Sequence, residues 1–119
     1  MKKILICDDA MFMRNKMAAL DEKMGFESVQ ASNGIEAVEK FRQFKPDLVT
    51  MDINMPEMDG REALKEIKKI DPNAKVIMIS AMGSSLEVVQ AVQEGALGFI
   101  VKPFKDEEYT RRITELLKG

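Results

Sequence analysis

The sequence contains no histidine and no tryptophan, and only one cysteine among its 119 residues. Without histidine no Ser-His-Asp or Cys-His constellation can be assembled, and most zinc sites are lost with it; a lone cysteine rules out a disulfide framework. Any metal site must therefore be built from oxygen ligands. Long apolar runs are missing too, and none approaches the roughly 20 residues that a membrane-spanning helix needs. Met1, Lys2 and Lys3 are followed by only four apolar residues before Asp8, too few for the core of a signal peptide. The chain reads as cytoplasmic. A basic excess is also lacking, since 18 Lys and Arg stand against 20 Asp and Glu for a formal charge of -2. That balance argues against nucleic acid or a membrane surface as a partner, because both demand a clustered positive field.

What is there is the composition of an ordinary globular protein, 45% hydrophobic and 32% charged. The length suits one domain over residues 1–119 with a single sizeable core. The ten methionines are read mostly as core residues at helical spacing, where the flexible thioether fills irregular gaps.

Short apolar runs of strand length recur at residues 3–7, 27–31, 47–51, 75–80 and 98–102. Four are almost continuously hydrophobic, as parallel strands covered on both faces should be, while "ESVQA" is weaker and alternates, which suits a sheet edge. Helical patterns fill the intervals. The first carries Met13, Met17, Leu20 and Met24 and stops at Gly25. The second opens at Asn33 with Glu36 at capping-box spacing, repeats Ala37, Phe41 and Phe44, and ends before Pro46. The third follows Asp59-Gly60 with Ala63, Ile67 and Ile70; the fourth starts at Ser84 or Ser85 and carries Val88, Ala91 and Val92; the fifth begins near Asp106 and buries Tyr109, Ile113, Leu116 and Leu117. Strict β/α alternation with short connections predicts a doubly wound α/β sandwich, a five-stranded parallel sheet with helices on both faces.

Ligands of such sheets bind beyond the carboxyl ends of the strands. There the sequence puts Asp8 and Asp9 after the first strand, Asp52 at the third, Ser80 at the fourth and Lys102 at the fifth. Taken singly, each has a plain explanation: Asp9 as a helix N-cap, Asp52 or Ser80 as turn residues, Lys102 as a solvated cation. Their convergence on one edge is the stronger signal. Three neighbouring carboxylates repel one another unless a cation intervenes, and Mg²⁺, which keeps several waters and needs few carboxylates, suits an open loop site. An aspartate beside Mg²⁺, a lysine and a hydroxyl can attack a phosphoryl group and form an acyl phosphate. Asp52, on a central strand between the acid pair and the hydroxyl, is the expected nucleophile. Cys7, beside the acid pair, is read as an inert core thiol.

The acidic pair in "ICDDAM", the aspartate in "VTMDINMPEMDG", the hydroxyl in "MISAMG" and the lysine-proline pair in "FIVKPF" make the whole chain resemble the receiver domains of two-component response regulators, the CheY-like family. The resemblance implies a flavodoxin-like fold with strand order 2-1-3-4-5. It implies that Asp52 accepts a phosphoryl group from a histidine kinase. Asp8, Asp9, Asp52 and the backbone carbonyl of Asn54 would form the Mg²⁺ site, with Asp8 acting mostly through water. Lys102 and Ser80 would contact the phosphoryl oxygens, Ser80 and Phe99 would move together as a switch, and Lys102-Pro103 would be cis. Asn54 and Met82 would be positions that tune hydrolysis of the phosphoryl group.

The same resemblance implies a signalling protein, not an enzyme, whose output is binding to another protein; a monomer is expected, with a phosphorylation-dependent dimer as the alternative. The output surface it implies is the helix 4, strand 5, helix 5 face, taken here as Val88, Ala91, Phe99 and residues 102–105. The opening "DDAMFMR" looks like chemotaxis regulators that bind the flagellar motor switch protein; a phosphorelay shuttle or an orphan adaptor is the alternative, and a phosphatase is a further expected partner. A haloacid-dehalogenase-like phosphatase would need a second aspartate where Asn54 stands to serve as general acid. A flavodoxin would need a phosphate-cradling loop where Asp8 and Asp9 would repel the flavin phosphate.

Overall fold

A computed structural model describes residues 1–81 and 85–118. In chain order the elements are β1 (Lys3–Cys7), α1 (Met11–Lys23), β2 (Glu27–Ala31), α2 (Gly34–Phe44), β3 (Leu48–Asp52), α3 (Gly60–Ile70), β4 (Val76–Ser80), α4 (Ser85–Gln93), β5 (Phe99–Val101) and α5 (Asp106–Leu117). The strands form one parallel sheet in the order β2-β1-β3-β4-β5. The weak, alternating β2 lies at an edge as its composition suggests. β5 occupies the other edge although its sequence is apolar, and Val101 there is half-exposed.

Period-two alternation divides the sheet between two cores. Ile4, Ile6, Ile77, Ile79 and Ile100 face α1 and α5, packing on Met17, Leu20, Tyr109 and Ile113. Leu5, Cys7, Val49, Met51, Val76 and Met78 face the opposite layer and pack on Ala37, Phe41, Leu64, Ile67 and Ala91 of α2, α3 and α4. The three central strands, buried on both faces, have no solvent side to carry polar residues, which is why they read as continuous hydrophobics.

Several sequence expectations shift. β3 extends through Asp52, so the carboxylate stands on the last strand residue and not beyond it. The α1 stripe is Met17, Ala18 and Leu20 with a buried Asp21, while Met13 and Met24 are only half-buried. Ile70 and Val92 are substantially exposed, and in α5 it is Leu117, not Leu116, that is fully covered. Most of the methionines are not helical core: Met51 and Met78 are in strands, Met55 and Met58 in the β3–α3 loop, and Met11 is exposed. The expected cap at Ser84 and the position Met82 lie outside the described residues. Helix α2 is capped as its sequence predicts, with Asn33 Oδ1 accepting from Glu36 N at 2.8 Å, but the Glu36 carboxylate reaches back to Ser32 N and not to Asn33. No described helix is long and apolar enough to cross a membrane.

Candidate functional site

The acidic residues are set by strand ends. Asp8 follows β1 directly and its N–H donates to Ala31 O, continuing the β1–β2 ladder one residue past the strand. Its side chain is buried, with Oδ1 accepting from Ala10 N at 2.9 Å and Oδ2 from Lys102 Nζ at 2.5 Å. Asp9 is exposed and does not cap α1; the N-cap is Ala10, without a side-chain hydrogen bond. Asp52 closes β3, its Oδ1 accepting from Asn54 N at 3.3 Å and its Oδ2 from Lys102 Nζ at 3.3 Å. Asp8, Asp9 and Asp52 each offer a carboxylate oxygen within 4.8 Å of the others. The donor set is all hard oxygen, which fits Mg²⁺ in chemistry, and the exposed Asp9 leaves an open side for the waters that this ion retains.

Lys102 is held against this pair by backbone as well as charge. Its N–H donates to Ser80 O at 2.8 Å, and the Lys102-Pro103 peptide that follows is cis. Burial raises the Asp52 carboxyl above its ordinary range; Lys102 opposes the shift and Asp8 reinforces it. Burial would lower the Lys102 ammonium, but its hydrogen bonds and charge contacts to Asp8 and Asp52 outweigh this and raise it. Before any ligand arrives, then, one ammonium offsets two buried carboxylates. Ser80, at the end of β4, is fully buried, and its Oγ has no hydrogen-bond partner among the described residues, a donor held in reserve beside the cluster. Phe99 pairs with Met78 across β4 and β5 and is half-buried against the α2–α3–α4 core. Cys7 is sealed beneath the site, and burial pushes its thiol well above the ordinary value.

The loop that carries Asn54 is pinned by two glycines, Gly60 and Gly34. Gly60 N donates to Ile53 O at 2.8 Å, and a Cβ at Gly60 would lie 2.0 Å from Asp52 O. Gly34, opening α2, donates its N–H to Met58 O at 2.9 Å, and a Cβ there would lie 2.1 Å from that oxygen. The contacted atoms are backbone, so any side chain at either position must displace the loop. Between the pins, Glu57 takes a left-handed conformation at φ 70°. Only the "DG" pair hinted at this arrangement; the Gly34–Met58 contact joins segments whose proximity no local pattern encodes.

The expected output surface changes in composition. Ala91 and Phe104 are buried, whereas Leu86, Val89, Val92, Leu97 and Val101 are each about half-exposed or more and fall on α4, its outgoing loop and β5. Among the described residues, half of the large exposed hydrophobics thus lie between positions 86 and 101, a concentration of the kind that marks an interaction site.

Comparison with known proteins agrees with this geometry. Residues 4–114 match the response regulator receiver domain family. The chain is 51% identical to the chemotaxis protein CheY of Thermotoga maritima over 118 residues, covering 98% of each chain. It is 54% identical to the chemotaxis protein CheY of Bacillus subtilis over 116 residues, covering 97% of each. Its fold superposes with a TM-score of 0.94 on a chain of the CheX-CheY-BeF3-Mg²⁺ complex of Borrelia burgdorferi, at 36% identity and covering 99% of this chain and 90% of that one.

Proposed function

The chain belongs to the response regulator receiver domain family and is a chemotaxis response regulator, and from that premise we propose that it accepts a phosphoryl group on Asp52 and thereby switches its affinity for a target protein. The observation that carries the reading is the grouping of Asp8, Asp9 and Asp52 oxygens within 4.8 Å, bridged by Lys102 and flanked by the unpartnered Ser80 Oγ. The donor is a histidine kinase in the cytoplasm. An Asp52 carboxylate oxygen forms a bond to phosphorus as the P–N bond of a phosphoimidazole breaks, and the departing imidazole takes a proton from solvent.

Asp8, Asp9, Asp52 and the Asn54 carbonyl would hold Mg²⁺, which when bound offsets charge on the phosphoryl oxygens. The remaining chemistry belongs to the chain. Lys102, already 3.3 Å from Asp52, neutralises one phosphoryl oxygen. Ser80 Oγ donates to another, gaining the partner it lacks. That inward swing of Ser80 makes room for Phe99 to follow, and the movement alters β5 and the adjoining face of α4. The exposed apolar groups Leu86, Val89, Val92, Leu97 and Val101 are the contact surface for the flagellar motor switch, and the protein binds it as a monomer. The Borrelia neighbour was solved as a complex with a second protein, BeF3 and Mg²⁺, which supports a receiver that works through a protein partner and Mg²⁺. A haloacid-dehalogenase reading is disfavoured because Asn54 stands where the general acid would be.

The test is incubation with Mg²⁺ and acetyl phosphate, followed by intact mass, beside Asp52→Asn. A Mg²⁺-dependent, base-labile phosphate adduct on the parent alone is expected. No adduct on a folded parent, with a donor that labels another receiver, would sink the reading.

A further inference from the structure

We propose that Arg14 is a positioning residue for the acidic cluster: its guanidinium fixes the peptide between Asp8 and Asp9, and so sets the direction in which Asp9 presents its carboxylate to a divalent cation. The inference rests on the receiver reading above but concerns a residue to which the chemistry assigns no part.

Asp8 and Asp9 are held very differently. The Asp8 side chain is buried and anchored at both oxygens, to Ala10 N and to Lys102 Nζ. Asp9 is exposed, and among the described residues nothing holds its carboxylate. Its aim is therefore inherited from the backbone. The carbonyl of the Asp8–Asp9 peptide accepts from Arg14 Nη1 at 2.8 Å, while Arg14 Nε donates to Gln30 Oε1 at 3.1 Å. Gln30 is itself fixed: its Nε2 donates to Asn15 Oδ1 at 3.3 Å and its backbone carbonyl accepts from Lys40 Nζ at 2.5 Å. One half-buried guanidinium thus ties the β1–α1 loop to β2 and α1.

The residue type matters. Arginine offers several N–H donors in a rigid plane and can hold two acceptors in fixed mutual directions, whereas the three donors of a lysine ammonium rotate on a flexible stem and impose no such directions. Hydrogen bonds from a charged donor are also roughly twice as strong as neutral ones. The arrangement has an electrostatic disadvantage, since a positive charge beside a cation site weakens cation binding. A guanidinium retained there makes sense if geometry outweighs charge.

The two effects predict opposite signs, which makes the test decisive. Mg²⁺ affinity is measured by calorimetry on the full chain for the parent, Arg14→Met, Arg14→Lys and Gln30→Ala, with urea unfolding recorded in parallel. Arg14→Met is expected to bind Mg²⁺ about tenfold more weakly, the low end of what partners behind metal ligands contribute, despite losing a repelling charge. Arg14→Lys should recover part of the affinity, and Gln30→Ala, which leaves every charge in place, should move in the same direction as Arg14→Met. A purely structural role would lower the unfolding midpoint without changing the affinity of the folded protein. Folded Arg14→Met binding Mg²⁺ as tightly as the parent, or more tightly, overturns the inference alone; a parent that binds no Mg²⁺ overturns both it and the metal site of the receiver reading.

Discussion

At the scale of single residues, the carboxylate least connected to the proposed chemistry has the clearest signature. Asp21 lies fully buried in α1, accepting from Tyr109 Oη of α5 at 2.8 Å through Oδ1, while its Oδ2 has no partner among the described residues. Burial raises its carboxyl from 3.8 to about 7, against the opposing hydrogen bond from Tyr109; burial and the Asp21 charge likewise push the Tyr109 phenol above its ordinary value. The folded protein therefore holds this proton more tightly than the unfolded chain. The associated stability is complete below about pH 4 and is lost as pH rises through about 7. Asp21→Asn removes the titration and should gain on the parent by on the order of 3 kcal/mol between pH 5 and 8, read as the difference between their urea curves. A pH-independent difference would show that the carboxyl does not titrate in this window. Apolar periodicity marks the positions around Asp21 as core but cannot show that an acid fits among them, because its partner is 88 residues away.

At the scale of elements, local signals were reliable where the chain completes its own hydrogen bonds. The α2 cap is such a case, with Asn33 and Glu36 satisfying backbone donors within four residues. Asn33→Ala should cost about 1 kcal/mol in urea unfolding and leave Mg²⁺ binding unchanged; a loss of metal affinity would mean that the cap also steadies the Gly34–Met58 contact. Strand existence was equally legible, since burial on both faces writes itself as an apolar run. The site residues were legible for a related reason: a parallel sheet brings strand ends together whatever lies between them. Less legible were exposures decided by what an element packs against. Val92 and Ala91 are neighbours with similar hydrophobicity, yet one is half-exposed and the other covered by the α3 side of the core. No periodicity says where a neighbouring helix ends. The same holds for β5, an edge strand as apolar as a central one, and for Arg14, whose acceptors lie on two other segments.

At the scale of the whole molecule, the proposed chemistry and the proposed recognition face occupy different parts of the fold. The acids stand just after β1 and at the end of β3, while the apolar patch lies on α4, its outgoing loop and β5, joined to them through Ser80 on β4 and Lys102 after β5. Val89→Lys combined with Val101→Lys alters only exposed positions, so acetyl phosphate labelling of Asp52 should proceed at the parent rate while capture of the phosphorylated protein by the proposed motor-switch target falls at least tenfold, the effect of about 1.4 kcal/mol. Capture at parental strength would move the output face elsewhere. The sheet order has one more consequence, which concerns synthesis. Asp8 meets its cation, Lys102, across 94 residues of chain, and that lysine follows β5, made after the other four strands of the sheet. A chain made only through β4 holds Asp8 and Asp52 but not the ammonium that offsets them, so the charge-balanced cluster cannot form until β5 and Lys102 have followed.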